Sequence, residues 1–414
     1  MTASIRGSRL LAKAGTAAVT LTLAPTLAGC STSAESSPTP SDTPTVTPWP
    51  SPTLAVPSIP EARVASWTLD VGSETWATPL VVGTALYLGS NDGVFRAIDS
   101  SSGRLLWEHA TGDEIRGGAA TDGTAAFFTS EDGILHSLRL DDGTELWTSR
   151  TGDPTPAGAR DDWNYAASRP AVVDGVVYTG GFDGTASAVD ASTGDILWTF
   201  DTEEPIVADI EVGDGLVHVP STSGIHWALD PATGDKDWAA FVGGAETTSP
   251  LVVDGAAILG SRAAVLQAYD AESGDSLWTV PYEGSWVESG AVVIGPDAFV
   301  IGSSDIRVVQ AFRISDGSLI WSTPVSGAPW AVPVVADGVV YATQISWGPW
   351  EPWDASVYAL NSHTGEILWS AKTGDALDWT PMDNGGFGIA ASPAIAGDYV
   401  VVAGLDGVVY AFKR

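Results

Sequence analysis

The side chains best suited to chemistry in this chain are aromatic and acidic. Trp76, Trp163, Trp227, Trp286, Trp330, Trp347, Trp350, Trp353 and Trp379 fall outside the regular tryptophan spacing described below. Tyr165 stands near one of them, and Asp161, Asp162, Glu351, Asp354, Asp375, Asp378 and Asp383 flank others. An indole or phenol ring joins a large apolar face to a polar edge, and such rings dominate binding hot spots. Mixed with carboxylates, they suit a peptide or a saccharide. Trp76, Trp163, Tyr165, Trp286, Trp330, Trp347, Trp350, Trp353, Asp354 and Trp379 are therefore the candidate contacts to a ligand or partner. Two readings of them stand side by side: insertions packed on one another as a cap with buried tryptophans, or a recognition surface carried by long loops on a rigid scaffold.

Signals for catalysis are weak. The five histidines, His109, His136, His218, His226 and His363, are scattered, with no pair at metal-ligand spacing and no nucleophile elbow in the chain. Structural or exposed roles are expected of them, and no catalytic, cofactor-binding or metal residue is assigned. The Asp161-Asp162 pair could act as acid and base only if burial separated the two pKa values. Asp-Gly pairs such as Asp132-Gly133, Asp183-Gly184 and Asp406-Gly407 read as hairpin turns, since no segment alternates oxygen ligands as a calcium loop does.

The elements that must hold these residues follow from a repeat. Trp67, Trp107, Trp147, Trp198, Trp238, Trp278, Trp321 and Trp369 recur mostly about forty residues apart, a period that signals a repeat architecture. Seven of them follow a glycine by four residues (Gly103, Gly143, Gly194, Gly234, Gly274, Gly317, Gly365). Six residues before each glycine stands a small residue: Ala97, Ser137, Ala188, Ala228, Ala268, Ala311 and Ala359. Between these marks lie four short apolar strands separated by Gly, Asn and Asp turns, the pattern of a four-stranded meander. The expected fold is all-β, an eight-bladed β-propeller. Each repeated tryptophan is expected on the outermost strand of a blade, its ring between neighbouring sheets near the small residue and the turn glycine.

Strand counting predicts how the ring closes. Trp67 has no blade before it, and the segment from Ser392 to Lys413 supplies three strands without a final glycine and tryptophan. The strand around Trp67 completes that last blade. Three stretches lengthen the repeat, from Thr151 to Ser168, Ser346 to Asp354 and Thr373 to Ala391. They occupy loop types that emerge on the same face, so their aromatic residues should crowd one rim of the axial channel.

Ahead of the repeat, Arg6, Arg9 and Lys13 precede an apolar run that ends in Leu27-Ala28-Gly29-Cys30. That is the layout of a secretory signal peptide, and its last four residues resemble the lipobox of bacterial lipoproteins. Cys30 is the only cysteine, and lipidation explains both its presence and its place. Residues 1–29 read as a lipoprotein signal peptide, 30–61 as a lipidated Ser/Thr/Pro-rich tether that cannot bury a core, and 62–414 as the propeller. The chain is thus expected outside the cytoplasm, anchored by lipid to the bacterial cell membrane. With 18 basic against 51 acidic residues and a net charge of −33, it repels phosphate backbones, which makes nucleic acid a poor partner.

The motif running from Ala188 through Asp190 and Thr193-Gly194 to Trp198 resembles the repeat of pyrroloquinoline-quinone propellers, and the resemblance covers residues 62 to 414. It is specific for fold and not for activity. Two branches matter. Quinoprotein dehydrogenases hold the quinone over the axis, typically with calcium, a catalytic aspartate and, in many members, a disulfide between adjacent cysteines. Lipid-anchored members of the BamB-like branch are eight-bladed binding scaffolds without enzyme activity. A chain whose one cysteine is Cys30 cannot form the adjacent disulfide, and its body is short for the alcohol dehydrogenase branch. The resemblance therefore implies a non-catalytic scaffold with a protein partner on the insertion face and no cofactor. The alternatives are a dehydrogenase using the quinone with calcium, and a module that binds cell-envelope glycans.

Overall fold

The computed structural model describes residues 62–159, 167–282, 287, 289–304, 306–346, 356–374 and 387–414. Eight four-stranded antiparallel meanders follow one another as the blades of a propeller, and the described residues contain no helix. Blade one is formed by Leu80–Val82, Ala85–Gly89, Val94–Asp99 and Leu105–Ala110, from the axis outward. In blades one to six the third strand is buried or half-buried along most of its length, save Arg139, while its outer neighbour carries several exposed residues; in blade seven the outer strand is mostly buried as well. The apolar layers therefore lie between neighbouring sheets, as expected when a sheet covers both of its faces with the next sheet.

The repeated tryptophans clasp one blade to the next. In register, each stands opposite the small residue of its own blade, Trp107 opposite Ala97 and Trp198 opposite Ala188, beside a bulge in blades one to seven. Its ring reaches forward instead, onto the turn glycine of the following blade. A Cβ on Gly103, Gly143, Gly194, Gly234, Gly274, Gly317 or Gly365 would lie 2.5–2.8 Å from the indole of the preceding blade, and all seven have φ of +70 to +79°. Glycine is needed there twice, for the left-handed turn and for the close approach. The indole N–H of seven of the tryptophans, Trp67 to Trp321, donates to a backbone carbonyl of that same turn at 2.8–3.1 Å. A ring of this size buries about 150–250 Å², on the order of 4–6 kcal/mol of gross hydrophobic stabilisation. The small residue and the glycine expected around each ring thus come from two different blades.

The aspartate of the repeat is a turn former. Asp99 Oδ1 accepts from the backbone N–H of Ser101 and Ser102 at 3.1 and 3.0 Å, and Asp190 does the same for Ser192 and Thr193 at 2.9 and 3.0 Å. Asn361 replaces it with the same bonds to His363 and Thr364 at 2.9 and 3.1 Å. In blade six, where Arg313 stands at this position, Asp297 reaches across to the N–H of Ser315 at 2.9 Å.

Closure follows the expected route, with one addition. Strand β2 (Trp67–Asp70) pairs antiparallel with Val408–Lys413 and completes blade eight, Trp67 facing Ala411 and Asp70 facing Val408. A two-residue strand, β1 (Ala62–Arg63), lies parallel to Ile367–Ala371 and adds a fifth strand to blade seven. The two chain ends therefore meet on both sides of one seam.

Candidate functional site

Turns around the axis are laced from blade to blade. The Arg169 N–H donates to Asp209 Oδ1 at 2.9 Å, the Asp209 N–H to Ser249 Oγ at 3.2 Å, and the Ser392 N–H to Thr78 Oγ1 at 3.4 Å. Ser289 Oγ donates to the carbonyl of Ala331 at 2.9 Å. These residues stand just before the innermost strands, where each chain segment enters the axis. Thr78, Asp209, Ser249, Ala331 and Ser392 among them line a cavity of about 90 Å³ that also receives Trp76, Arg116, Thr248, Trp330 and Ala390.

Described parts of the insertions gather at this end of the axis. Ile345–Ser346, which opens the insertion inside blade seven, pairs antiparallel with Phe387–Gly388 from the connection to blade eight. Ala328, in the connection from blade six, exchanges backbone bonds of 2.8 and 2.9 Å with Ile345. Ala328, Ile345, Ala390 and Leu405 form a buried cluster, and the half-buried Trp76 and Trp330 pack against it. Inter-blade connections and the hairpin turns joining second to third strands thus meet on one face, as the topology requires. Trp163, Tyr165, Trp286, Trp347, Trp350, Trp353, Asp354 and Trp379 lie outside the described residues, as do Cys30 and the tether. Trp227 sits apart from the axis, edge-on to Phe200 at 5.2 Å with the Lys236 ammonium 6.0 Å over its ring.

The cavity has a polar character that the aromatic pattern did not announce. Arg116 donates from Nε to Glu114 at 2.6 Å, and its Nη1 is buried with no hydrogen-bond partner. Arg169 pairs with Asp209 at 3.2 Å. Burial holds the nearby Glu211 carboxyl above its ordinary range, with the Arg169 charge opposing and Asp209 adding to the rise. A donor such as Nη1 is costly to leave bare, and it can donate to a carboxylate or carbonyl oxygen that enters the axis.

Two histidine clusters emerge that sequence spacing had hidden. In blade four His218 and His226 stand on neighbouring strands, and Glu246 comes from the connection to blade five. Glu246 approaches His226 Nδ1 at 3.0 and 3.2 Å, and His226 Nε2 meets His218 Nδ1 at 3.0 Å. All three side chains are fully buried beside Trp238. Burial raises the Glu246 carboxyl well above its usual value and lowers both imidazoles to about 3. Burial thus favours the uncharged forms, in which the Glu246 O–H donates to His226 Nδ1 and the His226 Nε2–H donates to His218 Nδ1. Closed to solvent, this chain of bonds ties the strands of blade four to the connection leading into blade five. The second cluster joins His109 and His136 to Glu145 across blades one and two.

A family model described as outer membrane protein assembly factor BamB matches residues 64–187, 131–268 and 261–414 in three overlapping passes. The chain belongs to the BamB family of PQQ-like propellers. Among solved structures, BamB from Moraxella catarrhalis superposes with a TM-score of 0.61 at 18% identity, covering 85% of this chain and 97% of that one. The computationally designed Ika8 protein gives a TM-score of 0.68 at 16% identity over 83% and 98% of the two chains. The quinohemoprotein alcohol dehydrogenase ADHIIG from Pseudomonas putida HK5 gives 0.63 at 14% identity over 86% and 76%. At these identities the likenesses show the propeller fold that the BamB family shares with quinoprotein enzymes. No curated protein matches the chain.

Proposed function

We propose that this BamB-family propeller is a binding scaffold of the cell envelope, exported, anchored through lipid at Cys30, and engaging a protein partner with the face on which its insertions gather. The observation that carries this reading is the axial end itself: Trp76 and Trp330 are seated on a preformed cluster, and a bare guanidinium nitrogen of Arg116 lies beside them. Aromatic anchors around one desolvated charge are the makings of an interface hot spot.

The size of the cavity favours side chains inserted from a partner over a whole cofactor. About 90 Å³ holds on the order of three waters and falls short of the roughly 300 Å³ at which ligand pockets begin. Nor does the described lining suit a quinone with its calcium ion. Asp209 of the lining is already paired with Arg169, and the one described group of three His, Cys, Asp or Glu side chains close enough to share an ion lies on other strands.

The test is photo-crosslinking in membranes from a probe at residue 351, comparing the otherwise wild-type chain with a variant that also carries Trp347→Ala, Trp350→Ala and Trp353→Ala and retains the fold. A defined protein captured by wild type, rebinding the purified chain and lost in the variant, supports the scaffold. Equal capture by both would remove the insertion face from consideration.

A further inference from the structure

We propose that His109, His136 and Glu145 form a binding site for a divalent transition-metal ion of the zinc type, tying blade one to blade two. His109 lies on the outermost strand of blade one, and His136 and Glu145 lie on the third and fourth strands of blade two. One ligand atom from each falls within 4.8 Å of the other two. His109 Nε2 and Glu145 Oε2 are 3.6 Å apart.

Hydrogen bonding fixes the state of the central ligand. Ser130 Oγ bonds to Asp132 Oδ1 at 2.5 Å and to His136 Nε2 at 3.1 Å. A carboxylate only accepts, so the single hydroxyl proton goes to Asp132, and the hydroxyl oxygen must accept from His136 Nε2–H. That leaves Nδ1 as the lone-pair nitrogen of a neutral imidazole, the form that ligates metals. His136 Nδ1 is buried and has no partner. A bound ion would give this nitrogen the partner it lacks. The Asp132–Ser130–His136 chain has the form of the outer hydrogen bonds that set the tautomer of ligating histidines.

Rigidity is distributed as a metal site requires. His136 is only 6% exposed and is stacked on Phe128 at 5.2 Å, which is itself stacked on Phe95 at 4.0 Å. The side chains of His109 and Glu145 are 23% and 47% exposed, free to close the remaining distance. In a tetrahedral zinc site with bonds near 2.0–2.1 Å, ligand atoms stand ~3.3 Å apart, so a modest rotation of these two suffices. Two imidazoles and one carboxylate select a borderline transition metal over calcium or magnesium. The fourth position opens to solvent on the side of Glu145.

Isothermal titration of the full chain, purified in detergent and freed of metal with a chelator, tests the site. Wild type should bind one Zn2+ per chain in the presence of excess Mg2+ and Ca2+, with a rise in Tm, and Co2+ should give visible d–d absorption. His109→Ala and Glu145→Gln alter partly exposed side chains and should keep the fold, yet each should weaken Zn2+ binding about tenfold or more and abolish the rise in Tm. Wild type that takes up no Zn2+, or variants that bind it as wild type does, would overturn the assignment.

Discussion

The guanidinium of Arg63 lies over the indole of Trp369, 4.7 Å from the ring centroid. At the other seven seams the tryptophan of one blade meets the turn glycine of the next. At this seam the turn is interrupted by the chain ends, and Arg63 of β1 covers the ring while also bonding to the Lys413 carbonyl. A cation over an indole contributes roughly 0.5–2 kcal/mol. Arg63→Ala should lower stability to urea by about that amount and speed amide exchange at Ser370 and Ala371, leaving blade four unchanged. Unaltered exchange at those two amides would mean the arginine is no clasp.

Gly234→Ala tests the clasp at an ordinary seam. The new methyl group would sit 2.6 Å from the Trp198 ring at a φ of +73°. Overpacking together with left-handed strain should cost about 2–4 kcal/mol, read from the urea midpoint. A cost below ~1 kcal/mol would show that the ring can move aside freely.

Ending the chain at Gly407 removes the strand to which β2 is paired. Blade eight is then left with two strands and an open edge, and such edges are aggregation-prone. The truncated chain should lose its near-ultraviolet circular dichroism and elute as larger species on gel filtration. A monomer with a wild-type spectrum would refute closure by the terminal strands.

The buried Glu246–His226–His218 chain predicts opposite pH effects. Histidines held at about 3 in the fold contribute stability that is full above their unfolded value near 6.5 and is lost as pH falls toward 3. The acid limb should therefore steepen by on the order of 1–3 kcal/mol per pH unit, and His218→Gln or His226→Gln should flatten it. Glu246, raised in the fold, contributes stability that is full below its unfolded value and is lost as pH rises through the folded one. Glu246→Gln should thus gain on wild type toward neutral pH, with the gap closing in acid. Urea midpoints from pH 3.5 to 8 would show both trends, and parallel curves for wild type and variants would refute them.

The repeat was legible because its marks are local: Trp198, four residues after Gly194, is bound to recur wherever a blade ends. The forward reach of that ring onto Gly234 was not, since a sequence shows which residues are small without showing which sheet they face. Closure by Trp67 could be counted, whereas β1 has two residues and no pattern. Trp76 and Trp330 were legible as tryptophans outside the repeat, and they reach the axis because each stands just before an innermost strand. Arg116 escaped notice as one charge among many. The histidine clusters were hidden for a different reason. His109 shares a face with Trp107 by alternation, and so faces the next blade, but the bulge between Glu145 and Trp147 breaks that alternation and turns Glu145 in a direction no spacing announces.

Everything ahead of Ala62 joins the ring at β1, beside the terminal strand that β2 completes. Tension drawn along that leading segment enters the molecule at its seam. It would first peel a two-residue strand from its parallel neighbour and then load the four cross-strand pairs that join β2 to Val408–Ala411. Blade four, on the opposite side of the ring, would feel the pull last, so the propeller is built to yield at its latch before it deforms at its far side.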